Sequence, residues 1–184
     1  MSENGTTYRR SVRLKEYDYG LPGDYFVTIC VAERRPVLGM LSDDGMRLSA
    51  IGELVEAAWL ALPERFGHIE LDEHILMPNH LHGSISIVDA RSMSDESSVL
   101  RRPAWLRRPG HGTLGSIVRS FKAASTHVVR QQVLPNFAWQ RSYYEHIVRD
   151  ERELERVRIY IVGNPWDWMR DPENPALIAE RRQP

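Results

Sequence analysis

The chain has 184 residues, enough for one domain with a real core, and its hydrophobic content of 42% and charged content of 27% are those of an ordinary globular protein. A formal net charge of -1 excludes a protein that coats nucleic acid by bulk electrostatics, while leaving room for local basic patches. A single cysteine, Cys30, excludes an internal disulfide; no apolar run reaches the length of a transmembrane helix, and Met1 to Gly5 lacks the basic and apolar regions of a secretory leader, so a cytoplasmic protein away from membranes is expected.

Arg9, Arg10 and Arg13 lie in an N-terminal arm, residues 1–23, which Gly20, Pro22 and Gly23 punctuate. Tyr25 to Ala32 is apolar and predicts a buried strand. Beyond the turn-rich Ser42-Asp43-Asp44-Gly45, Ser49 is placed to cap a helix in which Ile51, Leu54, Val55, Ala58, Trp59 and Leu62 recur at helical spacing, closed by Pro63 and Gly67. His68 to Met77 and His80 to Val88 predict two strands of a hairpin linked by Pro78-Asn79. Residues 89–112 are rich in Ser, Arg, Pro and Gly without a period and predict a mobile basic loop, in which Arg101, Arg102, Arg107 and Arg108 flank Trp105. Leu114, Ile117, Val118, Phe121 and Val128 mark a second long helix, with Arg119 and Lys122 three apart on one face. Trp139 to Val148 predicts a strand, and Asp150 with Glu153 opens a last helix in the manner of a capping box, expected to end at Asn164-Pro165. So short a link makes the two hairpin strands antiparallel, and the element order predicts a single α+β domain over 1–184 rather than a doubly wound parallel sheet.

Between His80 and Ile87, His80, His82, Ser84 and Ser86 alternate with Leu81, Gly83, Ile85 and Ile87. Both imidazoles therefore leave the same face of a strand, with backbones about 6.5 to 7 Å apart, close enough to converge on one cation. A polar sheet face gives the same pattern, and two ligands alone do not hold an ion. In the last helix Tyr160 and Asn164 stand at i and i+4 on one side. An amide oxygen added to two imidazoles leaves positions open for water or phosphate oxygens, which suits magnesium or manganese better than a closed zinc site. The same tyrosine also fits a packing role, and an asparagine before a proline also fits a helix end. Tyr143 and Tyr144 are rival nucleophiles without an amide four residues on; packing or base stacking suits them better. His146, His74 and Glu73 are further polar candidates near the predicted strands.

The segments Met77 to His82, Leu114 to Ala123, Trp139 to Glu151 and Tyr160 to Pro165 resemble, in this order and within about Tyr8 to Trp168, the REP-associated tyrosine transposases of the HUH single-tyrosine superfamily. The resemblance implies a ferredoxin-like antiparallel sheet with helices packed mainly on one face. It also implies a metal-dependent endonuclease and strand transferase acting on single-stranded or hairpin DNA, including REP-like palindromes, through a 5′-phosphotyrosine. Carried over by motif, His80, His82 and Asn164 are the ligands of Mg2+ or Mn2+ and Tyr160 is the nucleophile, in a monomer or a homodimer. DNA contacts are expected from Arg9, Arg10, Arg13, Arg101, Arg102, Arg107, Arg108, Arg119 and Lys122, with Trp105 stacking an unpaired base. Two other readings fit the same residues: a replication-initiation type HUH nuclease, and a DNA-binding protein of transposase descent that no longer cuts.

Overall fold

Six consecutive buried residues, Tyr25 to Cys30, make the middle of the sheet, as their apolar run requires of a strand covered on both faces. The computed structural model describes residues 17–43, 45–88, 112–171 and 173–175. In chain order these form β1 (Gly23–Cys30), a short hairpin of β2 (Gly39–Ser42) and β3 (Gly45–Leu48), α1 (Ala50–Leu60), α2 (Leu62–Arg65), β4 (Ile69–Met77), β5 (His80–Ile87), α3 (Leu114–Gln132), β6 (Tyr144–Val148) and α4 (Glu151–Asp167). The main sheet is antiparallel in the order β4-β5-β1-β6. That order belongs to the split β-α-β-β-α-β arrangement, and the α+β architecture expected from the sequence is the one observed.

Register assigns the two faces. Thr28 lies opposite His82 and Cys30 opposite His80, while Thr28 also lies opposite Tyr144 on the other neighbour. Tyr25, Val27, Ile29, Leu81 and Ile85 leave the opposite face and pack with Trp59 of α1 and Ile117 and Phe121 of α3 in the main core. Gly83 is required there, because a Cβ would come within 2.4 Å of the Trp59 ring. On the histidine face α4 packs through Leu154 and Ile161 against Phe26 and Val148. Two long helices on one face and one on the other leave room at the end of β5 for a site.

Ser49 caps α1 as predicted, its hydroxyl accepting from the Gly52 N–H at 3.1 Å. Pro63 does not close that helix; it sits in the first turn of α2, where its missing N–H costs nothing. The stretch around Ser42 to Gly45 is the turn of a real hairpin, two strands of four residues each. The predicted strand from Trp139 is shorter: Trp139 makes one isolated bridge to Val31 and donates its indole N–H to Ser125 Oγ at 2.9 Å, so pairing with β1 begins only at Tyr144. At the other end, α4 runs through Pro165 to Asp167 and on into a 3-10 turn, Trp168–Arg170. A proline in a last turn removes one ladder bond only, and the Trp168 N–H donating to Pro165 O continues the coil. Asp150 does cap α4, accepting from the Glu153 N–H at 2.8 Å, and Glu153 in turn accepts from the Arg149 N–H and contacts His146, each at 2.8 Å. Arg158 joins α4 to Asp72 of β4 at 2.8 Å. No helix among the described residues is long and apolar enough to cross a membrane.

Candidate active site

His80 and His82 are 0% and 2% exposed, and their ring orientations are fixed from behind. The Asn79 amide donates from Nδ2 to Arg34 O at 3.2 Å and to Glu173 O at 2.8 Å, which turns Oδ1 toward His80 Nδ1, 2.8 Å away. An acceptor at that position keeps the proton of His80 on Nδ1 and leaves the Nε2 lone pair free. His82 Nδ1 meets Thr28 Oγ1 at 2.9 Å, so its Nε2 also faces forward. The two Nε2 atoms are 2.9 Å apart. Burial lowers the pKa of His82 to about 3, and burial, then His82 and Arg34, drive that of His80 well below the ordinary histidine value. Both rings are neutral at pH 7, the state in which histidine ligates a metal.

Asp171, from the segment after the 3-10 turn, completes the cluster. Its Oδ2 lies 3.6 Å from His80 Nε2 and 4.0 Å from His82 Nε2, and ligand atoms of the three residues lie within 4.8 Å of one another. The segment is tied down: Glu173 receives Arg34 Nε at 2.6 Å, the Glu173 N–H donates to Asp171 Oδ1 at 2.6 Å, and Asn174 donates to Trp168 O at 2.9 Å. Asp171 Oδ2 and Asn164 Oδ1 are both buried without a hydrogen-bond partner. A buried carboxylate oxygen lacking a donor beside two neutral imidazoles is compatible with a divalent cation, whose adjacent ligands, about 2.1 Å from it, stand about 3 Å apart. The residues present therefore fit a metal ion.

Tyr160 reaches the same place from α4. Its hydroxyl is 3.4 Å from His82 Nε2, its ring lies 5.2 Å from the His82 ring and 5.8 Å edge-on to Phe26, and the side chain stays 46% exposed. Burial, then the charge of Asp171, raise its pKa, against a hydrogen bond from Asn164 that favours the phenolate. The Asp171 carboxyl is likewise raised by burial, while the Glu173 N–H and the Asn164 side chain favour its charged form. The strand half and the helix half of the site thus meet within one chain.

The other candidates separate. Arg9, Arg10, Arg13, Arg101, Arg102, Trp105, Arg107 and Arg108 lie outside the described residues, as does almost all of the 89–112 loop. Arg119 is exposed on α3, in the helical layer across the sheet from the histidines. Lys122 Nζ donates to Gln140 O and Ser142 O at 2.8 and 3.1 Å and stands 5.4 Å from the Tyr143 ring centroid, with burial lowering its pKa to about 8; in this structure the amine holds the chain ahead of β6. Tyr143 is partly buried against the main core, whereas Tyr144 is 54% exposed on the histidine face. His146 pairs with Glu153, His74 lies near Trp59 and Glu56 on the far face, and Glu73 is exposed at a bulge of β4. Sequence reasoning did not find Asp171, Asn79 or Thr28. Asn79 beside the pair was the one with a local signal, since a polar side chain next to a ligand is placed to hold it.

No family model matches the chain. An uncharacterized protein of Haemophilus influenzae is 39% identical over 168 residues, 91% of this chain and 93% of that protein. Among solved structures, a REP-associated tyrosine transposase bound to a REP hairpin is similar with a TM-score of 0.54 and 21% identity, over 91% of this chain and 74% of that one. The chain belongs to the same family as the Haemophilus influenzae protein, and its fold is that of the REP-associated tyrosine transposase.

Proposed function

We propose that the protein is a metal-dependent DNA endonuclease and strand transferase that cuts single-stranded or hairpin DNA through a 5′-phosphotyrosine on Tyr160. The observation that carries this reading is the approach of the Tyr160 hydroxyl to His82 Nε2, 3.4 Å, across 78 residues of sequence. A tyrosine that only packed α4 against the sheet would have no reason to end beside two neutral, convergent histidines. The similar fold solved with a REP hairpin bound supports DNA as the substrate.

His80, His82, Asp171 and Asn164 would hold Mg2+ or Mn2+, which when bound supplies Lewis-acid stabilisation to the scissile phosphate. Asn79 keeps the His80 imidazole in the ligating tautomer, and Thr28 orients the His82 ring with its Nε2 toward the site. Burial and Asp171 oppose ionisation of Tyr160, so its phenol is protonated at rest and loses its proton as it attacks. In that attack the Tyr160 oxygen bonds to phosphorus, the P–O3′ bond breaks, and the 3′-oxygen leaves as a hydroxyl after taking up a proton. The phosphotyrosine retains the phosphodiester energy, so a second 3′-hydroxyl can displace Tyr160 and reseal the strand without ATP. Partial exposure of Tyr160 gives a strand access, while its hydroxyl faces His82 Nε2 at 3.4 Å.

Incubation of the protein with end-labelled hairpin DNA and manganese or magnesium, followed by denaturing electrophoresis, is expected to show a covalent adduct that Tyr160→Phe abolishes. Cleavage by the Tyr160→Phe protein would overturn the mechanism. DNA binding by the parent without any adduct would instead mark a silent binding protein.

A further inference from the structure

We propose that Tyr144 is the stacking platform for an unpaired DNA base next to the scissile phosphate; this rests on the nuclease reading above and adds a residue that sets its preference for single strands. Tyr144, Thr28 and His82 stand side by side across β6, β1 and β5. With neighbouring strands 4.7 to 4.9 Å apart, Tyr144 sits about 10 Å from His82 at the backbone, on the same face of the sheet. Their rings are linked through Phe26, which stacks on His82 at 5.4 Å and 25°, meets Tyr160 edge-on at 5.8 Å, and touches the Tyr144 ring at 6.3 Å and 66°. Phe26 is buried and closes the wall of the site, whereas Tyr144, one ring farther out on an edge strand, is 54% exposed.

That contrast shows what each ring is for. An aromatic side chain kept for the core would be covered, as Phe26 is; Tyr144 is held at its inner edge and leaves ring surface to solvent beside the nucleophile. The more exposed Ile159, Val162 and Trp166 lie on the solvent side of α4, and Met169 is in the 3-10 turn after it, with no such contact with the wall of the site among the described residues. A strand whose phosphate lies at the histidines must pass its next nucleotides over this edge or away from it. An unpaired base offers a π face to a tyrosine whatever its identity, and a paired base in a duplex does not.

The test uses the full chain carrying Tyr160→Phe, so that no adduct forms, and a fluorescein-labelled single strand of mixed sequence with a duplex of the same length for comparison. Anisotropy is expected to show Tyr144→Ala weakening single-strand binding roughly 5- to 150-fold, with Tyr144→Phe close to the parent and duplex binding unmoved. Quenching of 2-aminopurine, scanned through the strand one position at a time, is expected at one or two positions and is lost in Tyr144→Ala. Equal single-strand binding by the parent and Tyr144→Ala would overturn the platform and leave the nuclease reading standing. A Tyr144→Phe protein as weak as Tyr144→Ala would also overturn it, since the hydroxyl and not the ring would be the contact. Parent protein that binds no single strand would overturn both readings.

Discussion

The Asn79 side chain makes three hydrogen bonds, to Arg34 O, Glu173 O and His80 Nδ1, and the first two dictate the third. With both amide protons engaged by carbonyls, only Oδ1 can face the imidazole. Replacing Asn79 by Ala frees the His80 ring and removes the donor to two carbonyls in partly buried contacts. Manganese affinity, measured by titration against the free-ion EPR signal, is expected to fall about 10- to 100-fold, and stability by about 1–3 kcal/mol; unchanged affinity would show that the tautomer needs no such support. Residues of this kind mark the limit of what the chain alone discloses. His80 and His82 were legible because strand alternation fixes their common face, and Tyr160 with Asn164 because a helix places i over i+4. Asp171 was not, because its place depends on a helix running through Pro165, a 3-10 turn, and a tail tied to Arg34 and Asn79. No local period encodes that path.

The two central glycines of the site elements show how far packing context decides an element's tolerance. Gly83 in β5 and Gly163 in α4 are each one residue from a site residue, yet a Cβ at Gly83 would lie 2.4 Å from Trp59 while one at Gly163 meets nothing within 4 Å. Gly163→Ala is therefore expected to stabilise the protein by about 0.5–1 kcal/mol, since a mid-helix glycine costs that much relative to alanine. Gly83→Ala is expected to destabilise it by about 1–3 kcal/mol through overpacking under the histidine strand. Urea unfolding of the two variants reads both signs, and a loss in Gly163→Ala would mean that α4 is bent there in solution. The presence of α1, α3, α4 and β5 is legible in the sequence because each helix buries one stripe and β5 alternates, whereas the ends expected for α1 at Pro63 and for α4 at Asn164-Pro165 differ from those observed. The β2–β3 hairpin is not legible because four-residue strands carry too few alternations to stand out from a turn-rich stretch, and β6 is shorter than its sequence predicts because Trp139, apolar and aromatic, packs on Phe121 and Phe137 rather than in a ladder.

At the scale of the whole molecule, the site joins segments that are otherwise held separately. β5 belongs to the sheet centre, α4 rests on a small cluster of its own around Phe26, and the segment carrying Asp171 is tied by Arg34, Asn79 and Trp168. A cation bound by His80 and His82 of β5, Asn164 of α4 and Asp171 would link all three in the folded state and find no such arrangement in the unfolded chain. Binding of that kind adds about 2.7 kcal/mol at a hundredfold excess over Kd. For a protein of this size each kcal/mol moves Tm by about 2–4 °C, so manganese is expected to raise Tm by roughly 5 to 11 °C. The variants divide ligand from nucleophile. His82→Ala loses a ligand and should lose most of the shift, whereas Tyr160→Phe should keep it, because the phenol faces the centre without being one of the groups that hold the ion. A calorimetric scan of parent and both variants with manganese and with EDTA decides the matter: no shift in the parent, or an equal shift in His82→Ala, would remove the metal from this site and with it the proposed Lewis-acid stabilisation of the scissile phosphate.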